Sequence, residues 1–113
     1  MFFIIAFDIN MPNFDEQIYA VLVQIPQGKV TTYGDVAKMA GFPRHARHVG
    51  KLLGALPKDS RLPWFRVVNA KGMISLVGES FTRQREKLLD DGVEVKENGV
   101  ISLRRFQWDG HPI

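Results

Sequence analysis

Cysteine is absent from this chain of 113 residues. Its absence excludes disulfide bonds, thiolate metal sites and every reaction in which a thiol acts as the nucleophile. Histidine is scarce, and only His45 and His48 lie near each other, so together with His111 they do not make a metal-binding set. Glycine-rich phosphate loops, paired-carboxylate sites and serine–histidine arrangements do not stand out either. The sequence therefore predicts no metal, no cofactor and no catalytic residue.

Long hydrophobic runs are also absent. The apolar opening, residues 1–7, is far too short to span a membrane and lacks the basic flank of a signal peptide. We therefore expect a cytoplasmic protein without a membrane partner. Residues 1–12 are a leader with two open interpretations, an edge strand or a disordered tail upstream of a start at Met11. Residues 13–110 are predicted to form one small domain.

Charge is distributed unevenly along the chain. The net charge is only +3, but residues 29–71 hold nine basic side chains against two acidic ones, a local excess of +7 that leaves −4 for the rest. Such polarity is typical of a domain whose basic face is held to a polyanion. A solvated basic surface with no partner is the alternative interpretation.

Helical spacing of apolar residues begins at Phe14 and continues to Ile25, which predicts a first helix over about residues 14–25. Asn13 and Glu16 have the spacing of an N-cap and its capping-box partner. A turn at residues 26–28 follows, and Thr32 is placed to cap the next helix.

Two further helices form a helix-turn-helix pattern. The first extends from Tyr33 to Ala40 and ends at Gly41, a residue suited to the left-handed position after a helix. The second is predicted from Pro43 to about Leu56. Its apolar stripe is flanked by basic residues, as in a recognition helix: Arg44, His45, Arg47, His48 and Lys51. Glycines at 50 and 54 indicate close approach of another backbone, from protein or nucleic acid.

The remaining segments predict a wing. Residues 66–68 and 73–75 flank a turn at 69–72 and are predicted to form a hairpin, followed by a helix over about 81–91. Residues 93–95 and 100–102 are predicted to pair across Asn98-Gly99. The expected fold is mostly α with small β hairpins, a winged helix-turn-helix DNA-binding domain.

The segment Leu62-Pro63-Trp64-Phe65-Arg66-Val67-Val68 carries a family resemblance. From Tyr33 to Gly72 the pattern resembles the DNA-binding domain of the O6-alkylguanine-DNA alkyltransferases, whose core motif reads Pro-Cys-His-Arg-Val. Tryptophan stands at the position of the acceptor cysteine and Phe65 at that of the histidine. The chain therefore looks like an alkyltransferase-like protein, a non-catalytic branch of that family, over roughly residues 13–110.

This resemblance implies a function. The expected partner is double-stranded DNA containing O6-alkylguanine. The protein would bind this DNA in the minor groove, as a monomer, and flip the O6-alkylguanine base out of the duplex. An indole has no lone pair basic enough to attack carbon, so no alkyl transfer is expected and the protein is not an enzyme. Nucleotide excision repair proteins are the partners that the resemblance implies.

The resemblance also implies site residues. The DNA-binding set comprises Thr32, Tyr33, Ala46, Arg47, Gly50 and Lys51, in which Tyr33 crowds a phosphate and Arg47 enters the duplex. The lesion pocket comprises Tyr33, Pro63, Trp64, Phe65 and Val67, completed by a loop over residues 76–80. Some alkyltransferase-like proteins carry an arginine in that loop; Val77 stands there, and Arg83 or Arg85 could compensate.

The other residues of the region have lesser expected roles. Arg66 is expected to tie the motif to the hairpin, with a phosphate contact as the lesser alternative. His45 and His48 are expected to face phosphate.

Two other functions remain open. The chain could be a winged-helix regulator that reads sequence in the major groove without preference for lesions. It could also be a glycosylase or hydrolase that recruits Asp59, Glu79 or a bound water. Equal affinity for damaged and undamaged DNA would indicate the first, and release of guanine the second.

Overall fold

A computed structural model of the chain describes residues 13–111. The helices are α1 (Phe14–Leu22), α2 (Tyr33–Met39), α3 (Ala46–Gly54), α4 (Gly78–Asp90) and α5 (Leu103–Phe106), with a 3-10 helix at Trp64–Arg66. Two short strands, β1 (Thr31–Thr32) and β2 (Val67–Val68), pair in parallel. The predicted leader, residues 1–12, lies outside the described residues. None of the helices in residues 13–111 has the length and apolar character needed to cross a membrane.

Helix α1 forms where the apolar spacing predicts it, and Ile18, Val21 and Leu22 are buried. The helix ends at Leu22, three residues earlier than expected, although Ile25 remains buried in the core. The predicted capping box is wrong. Asn13 has a left-handed backbone with φ 67°, and its side chain makes no capping bond, because an N-cap side chain reaches the helix amides from an extended backbone.

Helices α2 and α3 form the helix-turn-helix. The Thr32 hydroxyl accepts a hydrogen bond from the Asp35 amide at 3.1 Å and caps α2 as predicted. Gly41, at φ 92°, follows α2, and the Phe42 amide returns to the Ala37 carbonyl at 2.8 Å.

The start of α3 differs from the expectation, because the helix begins at Ala46 rather than Pro43. The preceding residues form a turn closed by a 3.0 Å bond from the His45 amide to the Phe42 carbonyl. The Phe42 and His45 rings lie 5.0 and 6.2 Å from the Phe14 ring, so packing against α1 holds this turn outside the helix.

Two adjoining apolar clusters make up the core. The first joins α1, α2 and α3 and includes Trp108 from the C-terminal segment. The second joins Val68, Leu88 of α4 and the residues that follow it. The parallel pairing of β1 with β2 lies between the clusters, in the register Thr31 to Val67 and Thr32 to Val68.

The predicted hairpins are corrected. The chain does reverse over residues 69–72, but β2 pairs with β1 instead of with residues 73–75. The C-terminal segment supplies the partners: the Ile101 amide donates to the Gly72 carbonyl at 2.8 Å, and Met73 bridges to Val100. A Cβ on Gly72 would lie 2.8 Å from the Ile101 carbonyl oxygen, so glycine permits this approach.

The second predicted hairpin keeps only its turn. The Gly99 amide donates to the Lys96 carbonyl at 2.8 Å, and Gly99 has φ 89°. Residues 93–95 and 100–102 form no strand pair within the described part of the chain, because Val100 is paired with Met73. The fold is therefore mostly helical with one small parallel sheet, which confirms the fold class and corrects the arrangement of its strands.

Arg66 connects the 3-10 helix to the segments that follow α1 and α4. Its guanidinium donates to the two Asp91 carboxylate oxygens at 2.7 and 2.9 Å and to the Ile25 carbonyl at 2.8 Å. The Gly28 amide also donates to Asp91, at 3.1 Å. These hydrogen bonds agree with the structural role expected of Arg66. Its partners, however, lie after α1 and at the end of α4 and not in a hairpin.

Replacing Asp91 with alanine is expected to lower the free energy of unfolding by about 3 kcal/mol, because the largely buried guanidinium of Arg66 would lose its counter-charge. Asp90→Ala, which removes an exposed carboxylate from the neighbouring position, should change it by less than about 0.5 kcal/mol. Urea denaturation of both variants measures the difference. Equal losses would show that the pair does not stabilise the fold.

Candidate nucleic-acid interface

Trp64 begins the 3-10 helix that precedes β2, and α4 holds this segment in place. The Gln84 side-chain amide donates to the carbonyls of Phe65 and Val67, both at 3.0 Å. Gln84 is only 1% exposed, so these bonds are shielded from water. The backbone beside Trp64 is therefore fixed by α4.

A cavity of about 130 Å³ lies next to Trp64. Its lining comes from α2, α3, the 3-10 helix and α4 with the segments beside them: Tyr33, Gly50, Leu53, Gly54, Leu56, Pro57, Trp64, Leu76, Ser80 and Arg83. This volume is close to that of a protein cavity of about 150 Å³ that binds benzene, so it is on the scale of one small aromatic ring. Trp64 and Tyr33 give it two aromatic walls.

The predicted pocket residues divide into two groups. Tyr33 and Trp64 line the cavity, whereas Pro63, Phe65 and Val67 do not. Val67 is fully buried in β2, and Phe65 packs against the second apolar cluster. The cause is the 3-10 geometry, in which about three residues complete a turn, so successive side chains point in different directions.

The glycines of α3 make room for this cavity. A Cβ on Gly54 would meet no protein atom within 4 Å, and one on Gly50 would approach only the Tyr33 ring, at 3.9 Å. The predicted backbone approach is therefore not made by the described protein. Because the two glycines are four residues apart, they lie on one face of α3, and neither position places a side chain in the cavity.

Helix α4 supplies Ser80 and Arg83 to the cavity, whereas the sequence pattern predicted Ser80 in a pocket loop and Arg83 as one of two alternatives to a loop arginine. It begins at Gly78 instead of Phe81, so only part of the predicted 76–80 loop remains a loop. Arg83 reaches the cavity, and its guanidinium carbon lies 5.6 Å from the centre of the Trp64 ring. Arg85 points away and donates to the carbonyls of Lys96 and Val95 at 3.0 and 2.9 Å. The sequence signal that separates Arg83 from Arg85 is their position around α4, because residues two apart on a helix do not share a face.

Exposed cations lie on α3 beside the cavity. Arg47 and Lys51 are exposed and one helical turn apart, while Val49 is buried against the protein. Neither cation takes part in an ion pair among residues 13–111. Ala46 and Gly50 are half-buried. This face of α3 is basic and open to a polyanion.

Two other predicted contacts are placed differently. Thr32 is buried, and its hydroxyl is occupied as the cap of α2. His45 is half-buried beside Phe14 and Phe42, and its ring lies 5.1 Å from that of His48. The expectation that His45 faces phosphate is therefore corrected, because its ring belongs to an aromatic cluster at the start of α1. His48 remains exposed.

A helix-turn-helix whose second helix presents cations beside an aromatic cavity is typical of a helix-turn-helix DNA-binding domain. Comparison with known proteins makes this class specific. The family model "6-O-methylguanine DNA methyltransferase, DNA binding domain" matches residues 13–93, and the chain belongs to this family.

Some proteins that this chain resembles have names that do not describe an enzyme. The chain is 58% identical over 98 residues to the DNA base-flipping protein of Vibrio parahaemolyticus, covering 87% of this chain and 98% of that protein. It is 33% identical to alkyltransferase-like protein 1 of Schizosaccharomyces pombe, covering 88% and 97%. A crystal structure of that yeast protein, in complex with damaged DNA containing O6-carboxymethylguanine, superposes with a TM-score of 0.79 at 34% identity, covering 86% and 95%. The predicted resemblance to alkyltransferase-like proteins is confirmed.

Gln84→Met is expected to displace Trp64, because the two carbonyls that Gln84 holds lose their donor. Stability should fall by about 1–3 kcal/mol, partly offset because Gln84 Oε1 itself has no partner among the described residues. In a Trp108→Phe background Trp64 is the sole tryptophan, and its fluorescence should shift to longer wavelength. Glu86→Met, at an exposed position on the same helix, is the control. An unshifted spectrum would contradict the positioning role.

Proposed function

We propose that this protein recognises O6-alkylguanine in duplex DNA by flipping the damaged base into the cavity walled by Trp64 and Tyr33. The observation that carries the proposal is the position of this cavity directly beside the basic face of α3. A base must leave the helical stack to enter such a site, and aromatic walls replace part of the stacking that it loses.

The basic face of α3 binds the minor groove in this proposal. Lys51 contacts the phosphate backbone, while Arg47 enters the duplex where the flipped base was and bonds the orphaned base with its planar guanidinium. Ala46 and Gly50 allow close approach of the groove. Tyr33, at the start of α2, contributes both to the cavity and to displacement of the neighbouring phosphate.

No alkyl transfer accompanies recognition. The sequence contains no cysteine, and the indole of Trp64 is not a nucleophile at neutral pH, so the chain has no acceptor for the alkyl group. The names of the two relatives, a base-flipping protein and an alkyltransferase-like protein, support a role in binding rather than catalysis. We propose a monomeric cytoplasmic protein that marks the lesion for nucleotide excision repair.

The direct test is a titration, at one fixed salt concentration, of two duplexes that differ only in O6-methylguanine or guanine at one position. A preference of at least about tenfold, or about 1.4 kcal/mol, is expected for the damaged duplex, because only the damaged base should be held in the cavity. Mass spectrometry of the recovered DNA should find the methyl group in place. Trp64→Ala should lower the affinity for the damaged duplex by a larger factor than the affinity for the undamaged duplex.

Three results would contradict the proposal. Equal binding to both duplexes would indicate a winged-helix regulator without lesion specificity. Loss of guanine from the DNA would indicate a glycosylase, and loss of the methyl group would indicate an enzyme of another mechanism.

Arg47→Ala is expected to weaken binding to the O6-methylguanine duplex by at least about 1–3 kcal/mol, because the orphaned base would lose its partner. The control is Arg104→Ala, which removes an exposed arginine outside the helix-turn-helix and the cavity. A fluorescent analogue opposite the lesion should also report less unstacking with Arg47→Ala. If both variants bind like the unaltered protein, Arg47 does not enter the duplex.

A further inference from the structure

Within residues 13–111, Arg83 differs from Arg66 and Arg85 in having neither a hydrogen-bond partner for its Nε nor an ion-pair partner. Arg66 and Arg85 each donate hydrogen bonds to protein oxygens. Arg83 lines the cavity, and its buried Nε has no hydrogen-bond partner among the described residues. A buried donor without an acceptor is costly and uncommon in native proteins.

The charges near Arg83 leave its positive charge available. Glu79 and Glu86 lie one turn away on α4, but both are exposed and neither forms an ion pair with Arg83. The guanidinium instead lies 5.6 Å from the centre of the Trp64 ring. A cation at this distance from an aromatic face is attracted to it, which holds the Arg83 head group in the cavity.

We propose that Arg83 determines adduct specificity by favouring O6 substituents that carry a carboxylate over apolar substituents of the same shape. This inference rests on the proposed function, because the substituent must first be brought into the cavity. The planar fork of a guanidinium matches the two oxygens of a carboxylate, and the Arg83 side chain lines the cavity without an ion-pair partner among residues 13–111, so its charge is free to take such a ligand. An apolar substituent would contact Trp64 but leave Arg83 unpaired.

Carboxymethyl and 2-methylpropyl substituents have similar size but differ in charge. In each, a methylene is followed by three heavy atoms, which form a planar carboxylate in the first and a branched alkyl group in the second. Duplexes with O6-carboxymethylguanine, O6-(2-methylpropyl)guanine, O6-methylguanine or guanine are titrated at one fixed salt concentration. The measured quantity is the ratio of affinities for the carboxymethyl and 2-methylpropyl duplexes. The unaltered protein should give a ratio of about ten or more, as expected for charge-assisted hydrogen bonds.

Arg83→Gln should lower this ratio by about tenfold, because the charge is lost. Arg83→Lys should retain part of it, because the charge remains while the planar fork is lost. Arg104→Gln, which removes a charge outside the cavity, should leave the ratio unchanged. Circular dichroism and a thermal unfolding curve of each variant confirm that the domain is folded.

The outcomes distinguish the inference from the function on which it rests. An unaltered protein that binds all four duplexes equally would overturn the proposed function and the inference together. An unchanged charge ratio in folded Arg83→Gln, with the preference for O6-methylguanine over guanine intact, would overturn the inference alone. Equal weakening of every damaged duplex would also overturn it, because Arg83 would then contact the base and not its substituent.

Discussion

The bidentate ion pair between Arg66 and Asp91 is the interaction on which the arrangement of this domain depends. The two side chains are only 16% and 9% exposed, and they join the 3-10 helix to the end of α4. The same guanidinium bonds the Ile25 carbonyl after α1, and the same carboxylate bonds the Gly28 amide. One pair therefore links the helix-turn-helix cluster to the cluster built around α4. A pair so well bonded offsets the cost of removing its charges from water, which an isolated buried pair often fails to do.

This linkage gives the cavity its shape. With Arg66 held, the 3-10 helix directs Trp64 to the cavity and Phe65 to the second apolar cluster, where cations of Arg66 and Lys87 lie 5.2 and 5.6 Å from its ring centre. Gln84 bonds the intervening backbone, and Arg83, the preceding residue on α4, lines the cavity beside Trp64. Adjacent residues of α4 thus serve as a support for the backbone and as a wall of the site. A binding site supported in this way is organised before its ligand arrives, so less binding energy is lost in ordering it.

Local chemistry made much of the fold predictable. Thr32 caps α2 because hydroxyl capping is decided within three residues, and Gly41 after α2 and Gly99 in its turn adopt the positive φ that their positions need. The strands were less predictable. Residues 66–75 have the pattern of a hairpin, but β2 has a partner 36 residues earlier in the register Thr31 to Val67, and local pattern does not determine which distant segment provides the hydrogen bonds.

The sequence by itself determined the helices, the basic helix-turn-helix and the absence of a thiol acceptor, because composition and helical spacing are local properties. It also indicated Tyr33 and Trp64 as cavity residues and Arg47 as a cation of the second helix of the helix-turn-helix. Only the tertiary structure decided which neighbours of Trp64 share its cavity. Phe65 and Val67 are next to it in sequence but turn away, while Leu53 and Arg83 arrive from α3 and α4. The physical reason is that a cavity is formed by packing between elements, and packing depends on long-range contacts such as the Arg66–Asp91 pair that spacing along the chain does not reveal.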